Sequence, residues 1–213
     1  MLVPGRRGMG FAVGQEPLTS FFCSRGCRIL ATDVAASQAS QAGWVATGQH
    51  AASLSALNRF GIATSETMER LASFREVDMR ALPSDLPRVD FLWSACAMEH
   101  LGDLRKGMDF VLRSFDLLEP GGVAVHTTEF NLDSDWTTIG SGADSIYRRC
   151  DLEQLGAAIE AKGGSVRFDF REGKLPADLH VDRPPYRQEV HLRLEMFGYR
   201  CTSFGLIFEK PVR

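Results

Sequence analysis

The chain has 213 residues, of which 44% are hydrophobic and 24% are charged, and its formal net charge is −3. This length and composition fit one globular domain, which we expect to span residues 1–213. The slight negative charge and the scattered basic residues do not indicate nucleic-acid binding. The sequence contains neither an apolar run long enough for a membrane span nor a secretory signal, so we expect a cytoplasmic protein.

The five cysteines are an odd number in a chain large enough to fold without disulfides. Cys23 and Cys27 have a Cys-x3-Cys spacing, but no second Cys/His pair completes a zinc site. We therefore expect buried, reduced thiols and no bound metal.

Residues 7–18 predict a short buried strand, a turn of small residues and the start of a helix. The small residues Gly10, Ala12 and Gly14 would let the main chain approach a bound molecule. A second apolar run ends at Asp33, about twenty residues after the turn. A glycine turn followed by a carboxylate at this spacing is typical of sites for an adenosine-containing cofactor, in which the carboxylate binds the ribose hydroxyls.

Strands and helices then alternate along the rest of the chain. Strands are predicted at residues 74–78, 90–96, 123–128, 165–170, 190–196 and 203–210. Helices are predicted at residues 18–26, 53–60 and 66–71. Two further helices are predicted to begin at the capping residues Asp103 and Asp151. Residues 129–148 are expected to be a loop. This alternation implies an α/β fold with a doubly wound, mostly parallel sheet, whose ligands lie beyond the carboxyl ends of the strands.

Several segments resemble, in order, the motifs of the class I S-adenosylmethionine-dependent methyltransferases, over a span from Gly8 to Lys210. Residues 10–14 resemble the cofactor loop of that family, and Asp33 resembles its ribose-binding acid. Residues 77–83 are similar to the segment whose acid meets the adenine amino group, and residues 90–101 to the strand-four segment with its Glu-His-Leu ending. The most specific match is Leu-x-Pro-Gly-Gly at residues 118–122, a turn that precedes strand five in the family.

The resemblance implies a Rossmann-like methyltransferase fold of seven strands, the last antiparallel, and S-adenosylmethionine as the cofactor. The residues expected to bind this cofactor are Gly10, Ala12, Gly14, Glu16, Asp33, Asp78, Met79, Ser94 and Ala95. Two positions depart from the family pattern, because Gly10 replaces the usual acid and Ala12 replaces the usual glycine. Helices that commonly precede the first strand in the family are expected to be absent.

Methyl transfer from a sulfonium is an in-line displacement, for which a protein supplies alignment and sometimes a base. The candidates for catalytic residues are His126 and His100 as bases and Glu129 as a residue that orients the base or binds the acceptor. For each histidine, the alternative to a catalytic role is a structural role. A divalent ion held by His126, Glu129, Asp133 and Asp135 lacks a fixed ligand spacing, and we predict no metal.

The predicted function is methyl transfer to a small-molecule acceptor, at oxygen rather than nitrogen or carbon because of the two histidines. One alternative is an NAD(P)-dependent Rossmann oxidoreductase, although residues 10–15 lack the Gly-x-Gly-x-x-Gly order. Another is a catalytically degenerate methyltransferase-like module that binds a partner, which the departures at Gly10 and Ala12 favour. The sequence does not identify the acceptor, and it leaves a homodimer open.

Overall fold

The computed structural model describes residues 2–51, 53–187 and 189–212. Within these residues the chain forms one eight-stranded sheet and six α-helices. The strands are β1 (Arg7–Phe11), β2 (Arg28–Asp33), β3 (Ala72–Glu76), β4 (Val89–Ser94), β5 (Leu118–Asn131), β6 (Ser165–Arg167), β7 (Leu194–Met196) and β8 (Tyr199–Glu209). The helices are α1 (Leu18–Ser24), α2 (Ala36–Gln41), α3 (Ser65–Leu71), α4 (Leu104–Asp116), α5 (Arg149–Ala161) and α6 (Pro176–Leu179).

The strand order is β3-β2-β1-β4-β5-β8-β6, and the short strand β7 pairs with β8 outside this path. All pairs among β1 to β5 are parallel, whereas β8 runs antiparallel to β5, β6 and β7. The chain reverses its direction of travel across the sheet between β1 and β4, so their carboxyl ends flank the topological switch point. The predicted doubly wound sheet with an antiparallel last strand is confirmed. The strand predicted at residues 190–196 is present only as β7 at Leu194–Met196.

Glycines in the central strand β1 allow two aromatic side chains of β4 to lie against its backbone. A β-carbon on Gly8 would overlap the ring of Phe91, and a β-carbon on Gly10 would overlap the ring of Trp93. Trp93 also packs edge-to-face against Phe22 of α1, with ring centroids 4.9 Å apart. The structure therefore uses Gly10 for packing between strands.

The sheet has a hydrophobic core on each face. Helices α4 and α5 cover one face, where their apolar side chains meet those of β1, β4 and β5. Helices α1 and α3 cover part of the other face, where the buried side chains include Cys23, Met68 and Trp93. The buried residues Phe110, Val111 and Phe115 of α4 recur at helical spacing and face this core.

Three local predictions are wrong in detail. Only Ala56–Asn58 within residues 53–60 is helical, as a single 3-10 turn. Asp151 is not the cap of α5 but its third residue, and its carboxylate accepts the N–H of the capping residue Arg148 at 2.9 Å. Strand β5 extends to Asn131, so Glu129 lies in a strand rather than in the predicted loop. The cap at Asp103 is confirmed, because its carboxylate accepts the N–H of Lys106.

No helix in the described part of the chain combines the length and hydropathy that crossing a bilayer requires.

Helix α4 fixes the position of the 3-10 turn Met98–His100 through a close contact at Gly107. A β-carbon there would overlap the hydroxyl of the buried Tyr147 and lie 2.7 Å from the carbonyl oxygen of Met98. Alanine favours a helix over glycine by about 1 kcal/mol, whereas overpacking costs about 1–3 kcal/mol. We therefore expect Gly107→Ala to lower the free energy of unfolding, measured by urea denaturation. The loss should shrink in a Tyr147→Phe background, and a Gly107→Ala variant as stable as the parent would contradict this packing.

Candidate cofactor and acceptor site

The glycine turn and the acid at the end of β2 are joined by direct hydrogen bonds. The Asp33 carboxylate accepts the N–H of Gly14 at 3.1 Å on Oδ2 and the N–H of Val34 at 2.8 Å on Oδ1. Asp33 is only 3% exposed, and its burial raises the pKa of the carboxyl while these hydrogen bonds lower it. The two parts of the predicted cofactor site thus lie together, beside the switch point between β1 and β4.

The turn itself requires left-handed backbone. Ala12 has φ +48° and Gly14 has φ +49°. A non-glycine residue pays about 1–2 kcal/mol for this conformation. The departure at Ala12 therefore stores backbone strain in the turn, which gives a physical reason for the glycine usual at this position.

A short segment, which we call the strap (residues 49–51), lies across Asp33 and the glycine turn. The carbonyl oxygen of Gln49 packs directly against Gly14, where it leaves no room for a β-carbon. The N–H of Ala51 donates to Asp33 Oδ2 at 3.4 Å. His50 Nε2 bonds the carbonyl oxygen of Val34 at 2.8 Å. The strap therefore closes the crevice above the acid.

Sequence reasoning did not predict the strap. Residues 47–51 carry no periodic pattern, and their small and polar side chains give no signal that their backbone crosses the glycine turn. The only trace in the sequence is Gln15, directly after the turn, whose Nε2 donates to the carbonyl oxygen of His50 at 3.2 Å.

Glu16 binds an indole in this structure. The Nε1–H of Trp93 donates to Glu16 Oε1 at 2.6 Å. Burial raises the pKa of Glu16 to about 7, the indole hydrogen bond lowers it, and the negative charge of Asp33 raises it further. Glu16 thereby joins the start of α1 to β4, and its predicted contact with a cofactor stays a prediction.

The remaining residues predicted to bind the cofactor divide into accessible and buried ones. Asp78 is partly exposed. The Nε and Nη2 atoms of Arg80 donate hydrogen bonds to its carboxylate, which lowers the pKa of Asp78. Ala95 is exposed at the carboxyl end of β4. Met79 is 6% exposed and packs into the core, and Ser94 is buried. The structure thus leaves Asp78 and Ala95 available to a ligand at this edge of the sheet.

His126 lies inside the core between the sheet and α4. Its side chain is 0% exposed, and its ring packs against Phe110 and Phe208. Nδ1 bonds the hydroxyl of Ser94 at 2.8 Å, and Nε2 lies 3.5 Å from the hydroxyl of Ser114. Burial lowers the pKa of His126 to about 3, so the ring is neutral at physiological pH. This placement does not support the predicted role of His126 as a base and fits the structural alternative.

Three reactive groups that the sequence did not connect meet at the carboxyl ends of β4 and β5. Cys96 follows β4, Glu99 lies in the 3-10 turn Met98–His100, and Glu129 lies in β5. One ligand atom from each of these side chains lies within 4.8 Å of the other two. We call these three residues the thiol–carboxyl cluster. Glu99 stood in the Glu-His-Leu motif, and its closeness to Glu129 follows from the pairing of β4 with β5.

Burial controls the charge of this cluster. Glu99 is 1% exposed, and burial together with the neighbouring Glu129 raises its pKa to about 8. Burial also raises the pKa of Glu129. Thr128 Oγ1 donates to Glu99 Oε2 at 3.2 Å, but Glu99 Oε1 and Glu129 Oε2 have no hydrogen-bond partner among the described residues. The cluster therefore holds a proton on Glu99 at neutral pH and has acceptor oxygens to spare.

His100 orients the loop beside this cluster. Its Nδ1 lies 2.9 Å from the carboxylate of Asp144 and 3.1 Å from the carbonyl oxygen of Ala143. The ring is also 5.9 Å from that of Trp44. The structure thus gives His100 a positioning role, and its predicted role as a base stays a prediction.

The alternative metal site built from His126, Glu129, Asp133 and Asp135 is not assembled. His126 is enclosed in the core, and the carboxylate of Asp133 is bound by the backbone and guanidinium of Arg200. Among the described residues only the thiol–carboxyl cluster groups potential metal ligands.

Neither a family model nor a curated protein sequence matches this chain. Many solved structures, however, match this chain in fold. An S-adenosylmethionine-dependent methyltransferase from Mesorhizobium loti matches with a TM-score of 0.62 at 11% identity, over 99% of this chain and 93% of that one. The [4+2]-cyclase SpnF matches with a TM-score of 0.58 at 15% identity, over 100% of this chain and 78% of its own.

The magnesium protoporphyrin IX methyltransferase ChlM from Synechocystis, solved with bound S-adenosylhomocysteine, matches with a TM-score of 0.52 at 10% identity, over 97% of this chain and 75% of its own. In two further matches the chain spans about half of the length of the other protein, 51% in each. The chain therefore has the Rossmann-like fold of class I methyltransferases, and the cyclase among its matches shows that this fold serves more than one reaction.

The enclosure of His126 has a consequence for its titration. A base for an acceptor would titrate near neutral pH, whereas a histidine with a pKa of about 3 stays neutral. We expect the imidazole resonances of His126 in NMR spectra to stay unshifted between about pH 8 and pH 5. The variant His126→Gln assigns these resonances by their loss. A titration of His126 near neutral pH would contradict the placement of this ring.

The same burial affects stability. The unfolded chain binds a proton at this histidine below about pH 6.5, but the folded chain does so only near pH 3. His126 therefore makes the folded state less stable as the pH falls between these values.

Proposed function

We propose that this chain transfers a methyl group from S-adenosylmethionine to an oxygen of a small-molecule acceptor. The observation that carries the proposal is the hydrogen bond between the carboxylate of Asp33 and the N–H of Gly14, at the switch point of a methyltransferase fold. The names of the matched proteins and the cofactor product bound to ChlM support the choice of cofactor. When bound, this cofactor supplies the electrophilic methyl group.

The donor and acceptor groups of the turn fit the sugar of such a cofactor. An ionised carboxylate has about four lone-pair sites, and Asp33 uses three of them for the N–H groups of Gly14, Val34 and Ala51. Release of the weak bond from Ala51 frees a second site for a hydroxyl. The bonds from Gly14 and Val34 hold the carboxylate in place meanwhile. Cofactor binding thus requires movement of the strap.

The thiol–carboxyl cluster is the polar group of side chains at the acceptor end of this site. Glu129 is partly exposed, and Glu129 Oε2 has no hydrogen-bond partner among the described residues. A carboxylate whose pKa is raised by burial accepts a proton more readily than an exposed one. Of the three predicted catalytic residues, Glu129 is therefore the one we propose to receive the acceptor's proton.

A second candidate function is a module that binds a partner without catalysis. The closed strap and the strained Ala12 favour it, because both oppose cofactor binding. The free state of all five cysteines fits the reducing cytoplasm that we propose for either function.

The role of Asp33 can be tested by calorimetry with S-adenosylhomocysteine. We expect the parent chain to bind and Asp33→Asn to bind at least about tenfold more weakly, since a hydrogen bond to a charged group is worth about 1.5–3 kcal/mol. Asp90→Asn is the matched control, because Asp90 lies at the opposite end of the sheet, bound to Arg6 and Arg7. Thermal unfolding of each variant checks that it folds. A parent that does not bind, or equal affinities, would contradict the proposal and favour the module.

The strap makes a separate prediction. If the closed strap competes with the cofactor, then only molecules with an open strap bind it. The apparent affinity for the cofactor is therefore the affinity of the open form multiplied by the fraction of molecules that are open. His50→Ala removes the bond to Val34, so we expect it to tighten binding of S-adenosylhomocysteine. The control is His180→Ala, at an exposed histidine just after α6. Unchanged or weaker binding by His50→Ala alone would show that the strap does not block the site.

A further inference from the structure

The thiol–carboxyl cluster has the composition of a cation site. Cys96 contributes a thiol, and Glu99 and Glu129 contribute one carboxylate oxygen each, all within 4.8 Å of one another. A tetrahedral Zn²⁺ with ligands at about 2.0–2.3 Å separates neighbouring ligand atoms by about 3.3–3.8 Å. To bind one ion, the ligand atoms of the three side chains need to approach one another by at most about 1.0–1.5 Å.

A second observation points to a ligand. Glu99 is 1% exposed, yet its Oε1 has no hydrogen-bond partner among the described residues. Unpartnered polar atoms at such depth are rare, because each loses its bonds to water without gaining one from the protein. Glu129 Oε2 is in the same condition. Two neighbouring carboxyl groups of the cluster thus each have a buried oxygen without a partner among the described residues.

The ligand types select the class of cation. Mg²⁺ and Ca²⁺ bind oxygen ligands, whereas sulfur is a ligand for softer ions such as Zn²⁺. The Sγ atom of Cys96 already faces two hydroxyl oxygens, at 3.4 Å from Thr127 Oγ1 and 3.3 Å from Ser203 Oγ. We propose that Cys96, Glu99 and Glu129 bind a divalent transition-metal ion of the zinc class.

The cluster is accessible to such an ion from one side. Cys96, Thr127 and Glu129 are each partly exposed, whereas Glu99 forms the closed end of the volume. Cys96 also has φ +44°, a strained conformation that turns its thiol toward β5 and β8. With Cys96 and Glu129 at the exposed side and Glu99 at the buried side, the cluster suits a site that a cation enters from solvent.

Binding must displace protons. A thiol ordinarily carries its proton at neutral pH, whereas metal ligands bind in their deprotonated form. The metal takes the thiolate and the carboxylates, and the protons leave to solvent. The affinity therefore rises with pH. A bound ion would occupy the carboxylate of Glu129, the group that we propose to receive the acceptor's proton.

This inference does not depend on the proposed function. A metal can bind to the cluster whether or not S-adenosylmethionine binds at Asp33. Binding of S-adenosylhomocysteine and binding of metal are measured separately, so failure of one leaves the other in place.

The test uses Co²⁺ as a spectroscopic probe of the zinc class. We expect one equivalent of Co²⁺ to bind the full chain and give a sulfur-to-cobalt charge-transfer absorption in the near ultraviolet, which added Zn²⁺ abolishes. Cys96→Ser should lose this absorption. Glu99→Gln should weaken binding by at least about tenfold, because even residues that only orient a metal ligand change affinity about 10–100-fold.

Glutamine is a close substitute for a protonated Glu99, so Glu99→Gln is expected to fold as the parent does. Cys150→Ser is the matched control, since Cys150 is an exposed thiol outside the cluster. Absence of the absorption in the parent would overturn the proposal. So would an absorption that survives Cys96→Ser or that Cys150→Ser removes.

Discussion

The hydrogen bond from the N–H of Gly14 to the carboxylate of Asp33 is the constraint on which the site depends. It connects the turn after β1 to the end of β2, the two elements that flank a cofactor in a doubly wound sheet. The bond also explains how a carboxylate that is 3% exposed remains in this position, because backbone N–H groups replace the water it has lost. The strap completes the same set of bonds from above.

This arrangement makes the closed strap and an available acid mutually exclusive states. The strap supplies one N–H to Asp33 and one carbonyl contact to Gly14, and both are weak or non-polar interactions. A ligand that offers two hydroxyl groups to the carboxylate competes with a single N–H at 3.4 Å. The strap is also held by the bond from Gln15 Nε2 to the carbonyl oxygen of His50 and by the bond between His50 Nε2 and the carbonyl oxygen of Val34.

The alternation of side chains along β5 decides which polar groups can act. Side chains in a strand point to opposite faces in turn. His126 points into the core beneath α4, as do Thr128 and Phe130, which are also buried. Glu129 points to the other face, and one of its carboxylate oxygens lies within 4.8 Å of ligand atoms of Cys96 and Glu99, which follow the end of β4. His126 and Glu129, three residues apart, therefore lie on opposite faces of β5.

Much of the fold could be predicted from sequence because its signals are local. The apolar runs that became β1, β2 and β4, the cap at Asp103 and the stripe of α4 each follow from periodicity over a few residues. The carboxyl-edge position of Asp33 followed from the order of strands.

The site was harder to predict because its features depend on contacts between distant segments. The strap reaches Asp33 from residues 49–51, and Glu99 reaches Glu129 across two strands. The face on which His126 lies depends on the register of β5, which the predicted loop after residue 128 left undefined. The role of Gly10 in packing against Trp93 has the same origin, since it requires the neighbour in the sheet.

The most direct measurement is a crystal structure of the full chain grown with S-adenosylhomocysteine. We expect the ribose hydroxyls to lie within hydrogen-bond distance of the Asp33 carboxylate and residues 49–51 to be displaced from Gly14. A ligand bound elsewhere, or one bound while the N–H of Ala51 still donates to Asp33 and no hydroxyl does, would contradict it.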